Sequence, residues 1–161
     1  MIIWVILFLL LLPFAVVLLV GAPYLPTRKK QAEQALDLLD LKAGEVFVDL
    51  GCGDGVMLVH GARRGLKCYG FELNPLVFAV AWLRTWRYRK NVQVSMRNFW
   101  HVPLPVETRG IYVFLLDQFM EKLDSKMKKE AKKGTKLLSY TFKIQGKKHV
   151  KEVGPMTLYR Y

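Results

Sequence analysis

Residues 48–55 read VDLGCGDG, an apolar segment that runs straight into alternating glycines. Taken with Glu45-Val46-Phe47 ahead of it, the apolar part predicts a short buried strand over 45–50. Gly51 to Gly55 predict a loop, because glycine lets a backbone turn sharply and come close to a ligand. Val56 to Arg64 predict a helix closed by Gly65, and Lys67 to Leu73 (KCYGFEL) a second strand. A strand, a glycine loop, a helix and another strand are the opening of a parallel α/β sheet.

The rest of the chain continues that alternation. On the N-terminal side, Ala32, Ala35, Leu36 and Leu39 recur at helical spacing, and Lys42-Ala43-Gly44 breaks the pattern. On the other side, Asn74-Pro75 opens a helix expected to reach about Lys90, since Asn caps well and Pro suits the first helical position. Val92 to Met96 read as a third strand, 98–110 as a loop, and Ile111 to Leu116 (IYVFLL) as a fully buried strand. A helix over Asp117 to Lys133, a strand over Lys136 to Phe142 and a hairpin around Gly154-Pro155 complete the chain. The expected fold is α/β: a doubly wound, mostly parallel Rossmann-like sheet with a C-terminal antiparallel hairpin.

In such sheets ligands bind beyond the carboxyl ends of the strands. Glu72 lies 19 positions after Gly53 and closes the second strand. A carboxylate there can accept both hydroxyl protons of a ribose. A dinucleotide fold wants a third glycine at position 56, which is Val56, and the Lys-Ser/Thr of a phosphate-binding P-loop is missing. Asp49, Asp54, Glu72 and Asp117 all fall where predicted strands end, so the crevice is acidic in a chain of net charge +12. A nucleoside ligand carrying positive charge suits it, and S-adenosylmethionine is one. Read singly, Asp49 and Asp54 are equally at home as turn or capping residues.

Residues 2–25 contain no charged side chain. As a helix they would span about 36 Å, enough for a hydrocarbon core of about 30 Å. Trp4 and Tyr24 stand near the ends, and Arg28, Lys29 and Lys30 follow at once. The positive-inside rule then puts residues 26–161 on the cytoplasmic side or its mitochondrial-matrix equivalent. A cleaved signal peptide is the rival, but the run is long for one and lacks a basic start. The expected organisation is a transmembrane anchor over 1–25 and a catalytic domain over 26–161. At 161 residues the chain has one domain's length, and its 52% hydrophobic content excludes a disordered tail protein. Cys52 and Cys68 are too few for a disulfide scaffold, and three scattered histidines do not build a metal site.

With those residues in place, VDLGCGDG followed by YGFELNP resembles the class I (seven-strand) S-adenosylmethionine-dependent methyltransferases. PYLPT (23–27), GFELNP (70–75), NFW (98–100), DQFMEKLDSKMKKE (117–130) and LLSYTF (137–142) follow in the order seen in one branch. That branch comprises small membrane-anchored protein-lysine methyltransferases, including those that modify the ATP synthase c-subunit and the adenine nucleotide translocase. The resemblance implies that Asp49, Gly51, Cys52, Gly53, Asp54 and Gly55 surround the methionine part of the cofactor. It also implies that Glu72 holds the ribose, with Leu73 and Asn74 beside it. Asn98 would meet the adenine amino group where the family usually has Asp, and Phe99 and Trp100 would flank the base. Pro26 and Thr27 would lie over the cofactor. After the fourth strand the branch usually reads Val-Pro-Gln, and this chain has Leu116-Asp117-Gln118.

The implied reaction is methyl transfer to a lysine of a protein substrate, itself membrane-associated, with Asp117 orienting the ammonium or accepting its proton through water. The basic run over Lys122 to Lys136 would face anionic headgroups. Two other functions fit the same residues: a methyltransferase for a lipid or small molecule, and a non-catalytic S-adenosylmethionine-binding protein. Nucleic-acid methylation is disfavoured, because no Asn/Asp-Pro-Pro-Tyr/Phe-type segment follows the fourth strand.

Overall fold

A computed structural model describes residues 2–4 and 25–161. Its elements are α1 (Lys29–Leu39), β1 (Val46–Leu50), α2 (Val56–Arg63), β2 (Lys67–Phe71), α3 (Pro75–Thr85), β3 (Val92–Ser95), β4 (Thr108–Val113), α4 (Met120–Glu130), β5 (Lys136–Tyr140), β6 (Lys151–Val153) and β7 (Met156–Arg160). The strands form one seven-stranded sheet in the order β3-β2-β1-β4-β5-β7-β6. Strands β1 to β5 pair in parallel, and β7 runs antiparallel to both β5 and β6. This is the expected α/β sheet with its closing hairpin. The predicted span over residues 2–25 lies almost wholly outside the described residues. Among the described residues no helix is long and apolar enough to cross a membrane.

Side chains alternate across each strand and so divide into two cores. Phe47, Tyr112 and Leu138 pack with Ala32, Ala35, Leu36 and Leu39 of α1 and with Met57 and Leu58 of α2. Val48, Ile111, Val113 and Leu137 pack on the other face with Met120, Leu123 and Met127 of α4. The four apolar positions that suggested the first helix are its buried stripe.

Three boundaries differ from expectation. β4 begins at Thr108 and stops at Val113, three residues before the apolar run ends. Its partner β1 ends at Leu50, opposite Val113, and turns away into the glycine loop, so Phe114 to Leu116 have no ladder to join on that side. α3 stops at Thr85, whose hydroxyl donates back to the Ala81 carbonyl at 2.8 Å. A 3₁₀ turn over Trp86–Tyr88 replaces the expected last turn. The segment from Asp117 opens as a 3₁₀ turn (Asp117–Phe119), and its α-helix closes at Glu130.

The basic run on and after α4 is largely bonded within the protein. Lys126 donates to the Val102 carbonyl and to Glu130, each at 2.8 Å. Lys128 pairs with Asp124, Lys132 with Glu107, and Lys136 with the Leu39 and Asp40 carbonyls that end α1. Lys122 lies 4.5 Å from the centre of the Trp100 ring. Four of the seven lysines from Lys122 to Lys136 are therefore paired, while Lys129 and Lys133 are exposed.

Asp124 ties α4 to the end of the sheet. It accepts from Tyr161 Oη at 2.6 Å, and pairs with Lys128 at 2.6 Å and Lys147 at 3.0 Å. Burial alone would raise its pKa, but hydrogen bonds from Lys128, Tyr161 and Lys147 outweigh that and hold it at about 2. A carboxylate held lower in the folded than in the unfolded chain stabilises above its unfolded pKa, about 3.9, and that contribution fades as the medium is acidified through the folded pKa. Asp124→Asn is expected to lower stability at neutral pH by about 1–3 kcal/mol. Thermal melts should show the gap from the parent protein closing as pH falls toward 2.

Candidate active site

The site is built where β1 and β2 end. Gly51 and Cys52 donate to the Phe71 carbonyl at 3.0 and 2.8 Å, which stitches the first loop to the end of β2. Glu72 then gathers three backbone N–H groups. Gly53 donates to its Oε2 at 3.0 Å, and Leu73 and Asn74 donate to its Oε1 at 2.8 Å each. Each carboxylate oxygen can accept more than one donor, so the remaining lone pairs are open to hydroxyls. Burial raises the Glu72 pKa, and the three N–H groups pull against that rise.

The loop itself is shaped for close approach. Gly51 has φ +86, and a Cβ there would meet nothing within 4 Å, so the backbone faces open space. Behind the loop the packing is the reverse. A Cβ on Gly70 of β2 would come within 2.8 Å of Cys52 Sγ and 2.5 Å of Leu58 Cδ1. Glycine at 70 is what lets the loop lie flat on the sheet. Asn74 caps α3, with its Oδ1 accepting from Leu76 and Val77 at 3.0 and 3.3 Å. Its Nδ2 is buried with no partner. An unmet donor on the residue whose backbone N–H bonds Glu72, a carboxylate with lone pairs to spare, fits a hydroxylated ligand such as a nucleoside.

Asp49 is 3% exposed. Its pKa lies well above the carboxylate range because of burial first, then the Glu72 and Asp54 charges. A cation placed beside it would relieve that repulsion. Asp54 is partly neutralised already. It forms an ion pair with Arg84 of α3, which also donates to the Asp54 carbonyl at 3.1 Å. Asp49, Asp54 and Glu72 are thus brought together. Asp117 is exposed, opens the 3₁₀ turn after β4, and is not among the charges that act on Asp49. Cys52 and Cys68 are free and buried, and no group of metal-binding side chains occurs among the described residues.

Asn98 follows β3, whose Ser95 carbonyl accepts from Glu72 N at 3.1 Å. Asn98 caps a short 3₁₀ turn, with its Oδ1 accepting from Trp100 N at 3.0 Å. That use leaves one lone pair on its carbonyl. Phe99 is buried, and the Phe99 and Trp100 ring centres lie 4.5 Å apart.

The residues that sequence reasoning missed sit on the other side of Asp49. Asp49 pairs in register with Tyr112 of β4, and side chains at paired positions share a face. Tyr112, Phe114 and Tyr140 line a cavity of about 250 Å³, together with Leu25, Pro26, Thr27 and Arg28. Thr27 and Tyr112 share a hydroxyl–hydroxyl hydrogen bond, and burial pushes the Tyr112 phenol up. Gln31, also in the wall, donates to Tyr140 Oη at 2.6 Å and accepts from Arg28 N at 2.9 Å. Directly after β5, Thr141 holds φ +77, a costly conformation for a β-branched residue. The sharp turn leaves the Phe142 ring centre 6.4 Å from that of Phe114. The register of β4 on β1 could have pointed to Tyr112. A contact such as Gln31 to Tyr140, across 109 positions, has no local signal.

Comparison with known proteins places this geometry. The model of the ANTKMT methyltransferase domain matches residues 49–151. A protein-lysine N-methyltransferase of Saccharolobus islandicus is 32% identical over 128 residues, covering 77% of this chain and 79% of its own. The adenine nucleotide translocase lysine N-methyltransferase of Mus musculus is 31% identical over 138 residues, covering 84% of this chain and 59% of its own. The fold matches an RNA methyltransferase from Salinibacter ruber, solved with S-adenosyl-L-homocysteine, at a TM-score of 0.78 and 22% identity, over 85% of this chain and 92% of that one. With the glycine loop, Glu72 and the domain match all falling on the same residues, the chain belongs to the ANTKMT methyltransferase domain family, on a class I S-adenosylmethionine-dependent methyltransferase fold.

Proposed function

We propose that this chain transfers a methyl group from S-adenosylmethionine to the ε-amino group of a lysine in a protein substrate. Beside the family membership, the observation that carries the reading is the aromatic cavity opening next to Asp49, on the face that Asp49 shares with Tyr112. When bound, S-adenosylmethionine supplies a methyl group on a sulfonium, which an amine nitrogen takes by in-line displacement of the thioether. Glu72 would hold the ribose by accepting from its hydroxyls, with Leu73 and Asn74 beside it. Asp49, with Gly51 to Gly55, would face the positively charged methionine end. Asn98, Phe99 and Trp100 would border the base, and Pro26 and Thr27 would lie over the cofactor.

The lysine reaches the methyl group through the Tyr112–Phe114–Tyr140 cavity. Its nitrogen must lose a proton from a reference pKa of about 10.4, and an apolar wall favours the neutral amine. Aromatic faces also hold the incoming cation before that proton leaves. The exposed Asp117 keeps the part read for it from the sequence, orienting the ammonium or accepting its proton through water. What remains is alignment, which can contribute about 7–11 kcal/mol of the barrier. Residues 1–25 would anchor the chain in a membrane, with 26–161 as the catalytic domain on the cytoplasmic or mitochondrial-matrix side. The substrate is then a membrane-associated protein.

The reading is tested by incubating the full chain with methyl-labelled cofactor and host membranes. Label is expected in acid-stable methyl-lysine, whereas label in extractable lipid would refute the lysine assignment. Glu72→Gln is expected to weaken cofactor binding by about 1.5–3 kcal/mol, the worth of hydrogen bonds to a charged group, as read by calorimetry. Because the Glu72 pKa is raised and the carboxylate is the acceptor, binding by the parent protein should weaken as pH falls through that raised pKa. Phe114→Ala should lower turnover about tenfold, or about 1.4 kcal/mol, and leave cofactor affinity unchanged. Unchanged turnover in Asp117→Ala would remove the role given to that carboxylate.

A further inference from the structure

Helix α3 is apolar on nearly every side. Val77, Ala81 and Thr85 are buried against the domain. The outward positions are Leu76, Val80, Trp82, Leu83 and Trp86, exposed by 45, 48, 48, 72 and 47%. A small domain seldom leaves so many large apolar side chains side by side in water. Trp82 and Trp86 pack in a tilted pair with ring centres 4.7 Å apart, and the Arg89 guanidinium lies 4.8 Å from the centre of the Trp86 ring. Residues 73–106 contain Arg84, Arg87, Arg89, Lys90 and Arg97 and no Asp or Glu. Arg84 is occupied by Asp54, Arg89 meets the apolar face at Trp86, and Arg87 and Lys90 stand beside Arg89 in the chain.

We propose that the outer face of α3 lies in the interface of an anionic lipid bilayer, with Leu83 deepest and Trp82 and Trp86 at headgroup level. Tryptophan favours that level because its body is apolar and its N–H polar, and arginine and lysine favour anionic headgroups. Interfacial helices have this pairing of bulky apolar and basic side chains. A protein partner would ordinarily be selected by opposite charges that set a register, and this segment offers charges of one sign only. The face also lies across the sheet from α4, where Lys126 and Lys128 are paired with Glu130 and Asp124. The proposal is independent of the methyl-transfer chemistry.

The test uses the full chain with a nitroxide at Leu83→Cys, or at the exposed Lys129→Cys on α4 as reference. The native Cys52 and Cys68 are buried, and burial pushes the Cys68 thiol up to about 12, so the label goes to the introduced thiol. Collision with oxygen and with a water-soluble nickel chelate is compared in phosphatidylcholine vesicles with and without phosphatidylglycerol. Phosphatidylglycerol is expected to cut chelate collision at position 83 several-fold and raise oxygen collision, with no change at position 129. Arg87→Glu/Arg89→Glu/Lys90→Glu in the Leu83→Cys background should restore the chelate collision. Chelate access at 83 that is equally high with both lipids leaves the face to a protein partner and overturns the proposal. Shielding from both reagents means that a second copy or another segment of the chain covers the face, and shielding that survives the triple reversal removes the role of anionic lipid; both overturn it.

Discussion

The carboxylate of Glu72 is the point on which the site depends. It receives N–H groups from the glycine loop, from its own strand end and from the residue that caps α3. One side chain thereby sets the position of three segments, and it keeps lone pairs for a ligand. Such an acceptor is favourable only while it is ionised and fully surrounded by donors, because an unpaired buried charge is costly. Glu72 therefore has a structural part and a binding part that no single substitution separates cleanly. Its neighbour Asp49 has the opposite character. It is buried among like charges, and it gains most when a cation arrives.

Much of this was legible in the chain itself. Strand, glycine loop, helix, strand and acid come in an order that few folds share, and the Asn74 cap with Pro75 behind it is a local signal that needs no tertiary context. The parts that could not be read are those fixed by distant partners. The apolar run 111–116 gives no hint that its ladder ends at Val113, since that limit is set by where β1 turns away. Asp54 reads as a loop acid, yet Arg84, thirty positions on, pairs with it. The cavity is assembled from the segment before α1, from β4 and from the end of β5, and no short window contains two of those pieces.

Charge tells the same story at a larger scale. A net charge of +12 describes the whole chain but not its surfaces. Lys126 and Lys128 of α4 and Lys132 just after it are bonded to Glu130, Asp124 and Glu107, and Lys126 also to the Val102 carbonyl, and so stabilise the fold. Among the arginines after α3, Arg89 instead lies over the Trp86 ring of an apolar face. Counting charges in sequence would rank the first group as the more available one. Their bonding reverses that order.

The lining of the cavity includes Leu25, where the proposed anchor ends. No spacer separates the two, so an anchored enzyme would have almost no reach. It could not sweep through the aqueous compartment, and only amines displayed within a side chain's length of the bilayer surface would come under it. Selection among proteins would then be made largely by depth, with the tether acting as a ruler that any candidate acceptor has to match.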